Sequence, residues 1–242
     1  MSSRDEILEL LRRSAVWSPK HADTFQMPHL EDAARLSPAV PRQDHHALAE
    51  RFLMRLQSVK GEAYRAYDTK SVHETVKALI ASWNVKSVAY YLDSPVLDFA
   101  LPKLLEELKL PTFVLKGGPD EDAWRAELAQ AALEQRTPKV PWDLAICGCA
   151  GAIAETGTIA HRITQGRGRG GWLLCAAQLV VVNVEQIVPD LEDLFVPGGA
   201  LDKEDMPRAV TLVTGPSRTA DIEQTLTVGV HGPGKFAGLV VG

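Results

Sequence analysis

The chain reads as an α/β protein: a mostly parallel sheet with helices on both faces, a small mixed-sheet insertion and an N-terminal helical arm. Three observations predict this. Between residues 44 and 149, short apolar or β-branched runs alternate with longer stretches of helical period. Capping residues and Gly or Pro punctuate that alternation at the spacing of strand–helix–strand crossovers, which lay successive strands parallel and cover both faces of the sheet. The composition suits a sizeable core, with 242 residues of which 45% are hydrophobic and 24% charged.

At the N-terminus, Ser3 and Glu6 make a capping box ahead of Ile7, Leu8, Leu10 and Leu11, and Arg12 and Arg13 suit the end of that short helix. From 14 to 43 the pattern fails. Pro19, Pro28, Pro38 and Pro41 interrupt a polar stretch with isolated anchors at Trp17, Phe25 and Leu30. So long a run without elements is uncommon inside a compact domain. Residues 1–43 are therefore expected to form a helix and an extended arm that lies over its own core or over a second copy, as a homodimer contact, with the domain proper at 44–242.

Asp44 caps a helix carrying Leu48, Phe52, Leu56 and Val59 on one face, with Gly61 past its end. Residues 62–67 read as a strand. Ser71 with Glu74 repeats the capping box before Val76, Leu79, Ile80 and Trp83, and Asn84 suits the exit. Residues 86–92 are a strand, Ser94 and Pro95 open a helix reaching Leu108, and 112–115 is another strand. Asp120 opens a helix carrying Trp124, Leu128, Ala131 and Ala132, and 143–149 follows as a strand.

The rhythm then shortens. Residues 158–163, 171–174 and 179–184 read as short strands with little room for crossover helices, so a hairpin or small mixed sheet is expected among them. The Gly/Arg tip from Gly166 to Gly171 reads as a mobile hairpin loop. Pro189 opens a helix through Phe195, 209–213 is a buried strand, and 236–241 is the last strand.

A net charge of −5 without a basic block excludes sequence-independent nucleic-acid binding, the Gly/Arg tip included. No stretch is long and apolar enough to span a bilayer, and the first residues make an amphipathic helix rather than a signal peptide, so a cytoplasmic protein without a membrane partner is expected. Three cysteines, Cys147, Cys149 and Cys175, lack the number of a disulfide framework and the spacing of a metal site. They read as small buried hydrophobes. Phosphate-loop, dinucleotide-glycine, nucleophile-elbow and His-Glu-x-x-His motifs are missing.

Chemistry is expected at two loops that leave strand ends. In the first, Gly215 and Pro216 break the strand, and Ser217 or Thr219 caps a helix whose first turn holds Asp221 and Glu223. Free N–H groups at such a start hold anions, and Arg218 adds a forked donor for carboxylate or phosphate. A tight turn before a well-capped helix explains the same residues without a ligand. The second loop runs from Gly148 to Thr158. There Glu155, flanked by Thr156, Gly157 and Thr158, is a general base, nucleophile or hydroxyl acceptor, or else a carboxylate that satisfies its own glycine turn. His231 at a strand end serves as acid or base, or is structural.

These loops also carry a resemblance. TGPSRTADIEQTLTVGVHGP (214–233) and CGCAGAIAETGT (147–158), with VVVNVEQIVPDLEDLF (180–195) between them, resemble the signatures of the lactate-utilization protein C family, the LUD domain. The match runs from Asp143 to the C-terminus. The resemblance implies a NagB/RpiA/CoA-transferase-like fold, related to sugar-phosphate isomerases and to 5-formyltetrahydrofolate cyclo-ligase. It implies a subunit acting with two iron–sulfur partner proteins in oxidation of L-lactate to pyruvate, with an organic anion as candidate ligand. It places the clusters on the partners and no cofactor on this chain. One departure is Cys175-Ala176-Ala177-Gln178, where the family often has prolines and a histidine, which loosens any ligand contact borrowed from that loop. The alternative is a stand-alone enzyme of the same superfamily using Glu155 on a phosphorylated or thioester substrate.

Overall fold

The computed structural model describes residues 44–115, 142–164, 167–196, 199–201, 207–220, 226–228 and 232–242. Expectations for the N-terminal helix and arm, for the helix from Asp120, and for Asp221, Glu223 and His231 lie outside these residues. Residues 43–242 make one compact unit.

Its centre is a six-stranded sheet in which every pairing is parallel. The strands are β1 (Glu62–Ala66), β2 (Val88–Tyr91), β3 (Thr112–Leu115), β4 (Leu144–Cys147), β7 (Ala177–Asn183) and β12 (Lys235–Val241), in the order β1-β12-β7-β4-β2-β3. A second sheet follows β4 in the chain and is mixed, in the order β8-β5-β6-β9, from β5 (Gly151–Ile153), β6 (Thr158–Ile163), β8 (Ile187–Val188) and β9 (Ala209–Val213). β10 (Arg218–Ala220) and β11 (Leu226–Val228) form an antiparallel ribbon.

Alternation along the strands divides the main sheet between two cores. Val88, Tyr90, Leu144, Ile146, Leu179, Val181, Ala237 and Leu239 face α2 (Thr69–Ser82), α3 (Ser94–Asp98) and α4 (Leu101–Glu107). Ala89, Tyr91, Ala145, Cys147, Val180, Val182, Phe236 and Val240 face α1 (His45–Ser58), the second sheet and Trp172 of the short α5 (Gly170–Leu173). α1 presents Leu48, Phe52 and Leu56, all buried, at the i, i+4, i+8 spacing of a single stripe. Asp44 caps it by accepting the His46 N–H at 2.9 Å.

The sheet expected from the first half of the sequence is present, and several local expectations need correction. The cap of α2 is Asp68, and Ser71 is the third helical residue that answers it, one capping box upstream of the one expected. The helix from Ser94 does not reach Leu108. It breaks at Ala100, φ +49°, because the ring of Pro102 would collide with the Asp98 carbonyl four residues back. Residues 171–174 lie in the turn of α5, and β7 is a central strand of the parallel sheet rather than part of the insertion. From Pro189 to Phe195 the chain makes a short 3-10 turn at Glu192–Leu194, not a helix. β9 is the half-buried edge of the second sheet. Arg218–Ala220 forms strand β10, so Thr219 lies in a strand and, among the described residues, no helix starts at Ser217 or Thr219; the helix expected to follow lies outside the described residues.

Candidate functional site

Both expected loops meet one platform, the C-terminal half of α1. After β5 the chain turns through Glu155, Thr156 and Gly157 into β6. Gly157 has φ +68°, and a Cβ there would stand 2.5 Å from Leu56 N and 2.7 Å from the Arg55 carbonyl carbon. Only glycine lets this turn lie against the helix backbone. Gly215, at φ +77°, does the same one turn further on: its Cβ would stand 2.8 Å from the Val59 carbonyl oxygen. The two loops touch each other through hydroxyls. Thr156 Oγ1 donates to Thr158 Oγ1 at 2.7 Å, and Thr158 Oγ1 shares a hydrogen with Thr214 Oγ1 at 2.7 Å.

Glu155 faces two guanidinium groups. Arg51 pairs with its Oε2, and Arg55 stands 3.5 Å from its Oε1. The two arginines are four apart on α1 and so share a face. All three side chains are close to half exposed, which makes this a solvated ion-pair cluster. The Glu155 N–H donates to the Pro189 carbonyl at 3.0 Å, so the turn is also tied to the strand end of β8. A carboxylate clamped by two arginines is held as an acceptor.

Arg218 is likewise engaged: its guanidinium donates to the Val59 carbonyl, satisfying an end group of α1 that the helix itself leaves unpaired. The Ser217 N–H donates to the Pro233 carbonyl at 2.9 Å. Thr219 lies in β10. Thus Glu155, Thr156, Gly157, Thr158, Gly215 and Arg218 come together on α1, through contacts that hold the loops to the helix. The sequence reading missed Arg51 and Arg55, although their spacing within a recognised helix was visible.

The cysteines are all free and buried. Burial pushes the Cys147 thiol up to about 12, and raises Cys149 and Cys175 as well. His161, which the sequence gave no reason to choose, is fully buried on β6, stacked on Trp172 at 4.6 Å between ring centres. Burial, reinforced by the Arg167 charge, lowers its pKa to about 3, so it is a neutral imidazole at ordinary pH. Among the described residues, no cluster of His, Cys, Asp and Glu is arranged to hold a metal ion. No helix among them is long and apolar enough to cross a membrane.

The model of the LUD domain matches residues 49–241, nearly the whole of the compact unit and both loops on α1. The chain belongs to the LUD domain family. Among curated relatives of this LUD chain, "Lactate utilization protein C" of Macrococcus caseolyticus is 41% identical over 91 residues, 37% of this chain and 39% of that protein. "Lactate utilization protein C 1" of Bacillus mycoides is 31% identical over 170 residues, 69% of this chain and 68% of that protein. The matches thus span from about two fifths to about two thirds of these relatives. A crystal structure of a DUF162 family protein from Deinococcus radiodurans superposes with a TM-score of 0.52 at 19% identity, covering 83% of this chain and 99% of that one. That neighbour bears on the LUD fold alone.

Proposed function

We propose that this LUD protein is a subunit of a lactate-utilization system, acting with iron–sulfur partner proteins in the oxidation of L-lactate to pyruvate. The observation that carries the reading is the family match over 49–241, which includes both signature loops, together with relatives named for lactate utilization. The charge on the α1 face supports the reading. Arg51, Arg55 and Glu155 present charge at a half-exposed surface, on loops fixed to a helix that the core holds rigid. Such a surface sets the register and rate of docking more than its strength. The partners carry the redox clusters, and this chain holds and orients them.

The test is genetic and biochemical. Deleting the gene should abolish growth on L-lactate while leaving growth on pyruvate intact. Affinity-tagged protein from lactate-grown cells should recover iron and acid-labile sulfide in proportion to the partners. Reversing charge in Arg51→Glu with Arg55→Glu should cut that recovery at low salt, with the fold retained. Normal growth of the deletion strain on L-lactate, or protein recovered free of iron and sulfide, overturns the reading. Turnover of a phosphorylated or thioester substrate by the purified chain, lost in Glu155→Gln, would establish the stand-alone enzyme instead.

A further inference from the structure

Ligands of an open parallel sheet bind outside the carboxyl ends of the strands, at the point where the strand order reverses. Here that point lies between β2 and β4. From β2 the chain moves outward to β3, then returns past β2 to β4 and onward to β7. Asp93 stands just beyond β2, and Gly148 just beyond β4. Asp93 Oδ2 accepts the Gly148 N–H at 2.7 Å, so the carboxylate spans the two strand ends.

Arg167, from the Gly/Arg segment, closes over them. Its Nη1 stands 2.9 Å from Asp93 Oδ1, and its Nη2 donates to the Gly148 carbonyl at 2.8 Å. The segment is tied down again where Tyr91 Oη donates to the Gly168 carbonyl at 2.6 Å and Trp142 Nε1 to the Gly171 carbonyl at 3.0 Å. Residues 167–171 thus form a cover held over the strand ends by Asp93, Tyr91 and Trp142.

Beneath the cover lies a polar cluster in an otherwise apolar core. Gln178 Nε2 contacts Cys147 Sγ at 3.5 Å and His161 Nε2 at 3.2 Å. Arg167 Nε, Gln178 Oε1, His161 Nδ1 and Trp172 Nε1 are buried without a hydrogen-bond partner. Buried polar atoms are nearly always paired, so four such atoms in one cluster mark a place built for a polar guest.

We propose that the crevice between the ends of β2 and β4 binds a small 2-hydroxycarboxylate, with Arg167 taking the carboxylate and Asp93 the hydroxyl. The Nε edge of a guanidinium is one of its two forked faces for a carboxylate, and in Arg167 the Nε–H has no partner. Asp93, an acceptor at the same mouth, suits a donor hydroxyl on the neighbouring carbon. The choice of ligand class rests on the lactate reading above; the location rests on topology and on the unpartnered atoms.

Calorimetric titration of the purified full chain with L-lactate, glycolate, propionate and acetate tests this. Both hydroxy acids should bind at least about tenfold more tightly than the two acids that lack a hydroxyl, the ratio of one lost hydrogen bond. Arg167→Lys, which keeps the charge and loses the fork, should weaken both hydroxy acids about tenfold. Asp93→Asn, whose amide oxygen still accepts the Gly148 N–H, should erase the preference for lactate over propionate in a protein that still melts cooperatively. Equal affinity for lactate and propionate, heat from none of the four, or unchanged binding in Arg167→Lys overturns the proposal. Binding of glycolate without L-lactate keeps the site and counts against the lactate reading. Absence of binding in a chain that still recovers iron–sulfur partners removes the site and leaves that reading standing.

Discussion

Replacing Gly157 by alanine puts a methyl group where the backbone of α1 already stands. The new Cβ would lie 2.5 Å from Leu56 N, 2.7 Å from Arg55 C and 2.9 Å from Leu56 Cα, and none of these can swing aside as a side-chain tip would. The φ of +68° adds about 1–2 kcal/mol for a residue with a side chain. Relieving the overlap means lifting the turn from the helix, an overpacking cost of about 1–3 kcal/mol. Together these come to about 3 kcal/mol. Equilibrium urea unfolding reads this directly: with a slope of about 2 kcal/mol per molar, the midpoint should fall by about 1.5 M. Gly232→Ala is the matched control, since its Cβ would meet the flexible end of Leu173 at 3.3 Å, and its cost should stay below about 1 kcal/mol. A loss under about 1 kcal/mol for Gly157→Ala, or equal losses for the two variants, would refute the close seating of this loop on α1.

Three further predictions concern the core and the domain boundary. Because the folded-state pKa of His161 is about 3 against 6.5 for the unconstrained side chain, the unfolded chain takes the proton first as pH falls. Stability should therefore drop below pH 6.5 by about 1.4 kcal/mol per pH unit, and His161→Gln should remove about 2 kcal/mol of the loss between about pH 7 and pH 5; an unaltered slope would show that the imidazole is not held neutral. Thiol reagent at about pH 8 should modify none of the three cysteines in native protein and all three in denaturant; fast native reaction at any of them would contradict their burial. Removing residues 1–43 should leave a chain that unfolds cooperatively within about 4 °C of the full-length protein; loss of the cooperative transition would show that the domain needs those residues.

What was legible in the sequence was whatever local chemistry decides alone. Asp44 before an apolar stripe fixes α1, and β-branched runs between helices give the parallel sheet, because capping and periodicity act over a few residues. The failures came where a distant partner decides. The stretch Arg218-Thr219-Ala220 carries hydroxyl and acidic neighbours that favour a helix start, yet it pairs with β11. Such pairing depends on a partner strand that helix-start rules do not weigh. The run 171–174 reads apolar and aromatic like a strand, but Trp172 is wanted beneath the sheet against His161, and a helical turn delivers it. Within the site, Glu155 and its glycine turn stood out by composition. Arg51, Arg55 and Arg167 did not, since a surface arginine carries no local mark of the carboxylate it will meet. Asp93 and Gly148 are 55 residues apart, and only the reversal of strand order brings them together.

One helix sets the spacing of the two loops. The turn at Gly157 leans on Leu56 and the turn at Gly215 on Val59, so about one helical pitch of α1 separates their footholds. At about 100° and 1.5 Å per residue, inserting or deleting a single residue between Leu56 and Val59 would rotate one foothold a quarter-turn or more away from the other. The hydroxyl bridge from Thr158 to Thr214 could not follow. α1 therefore works as a ruler: the distance between the two loops is written in the length of the helix on which both stand.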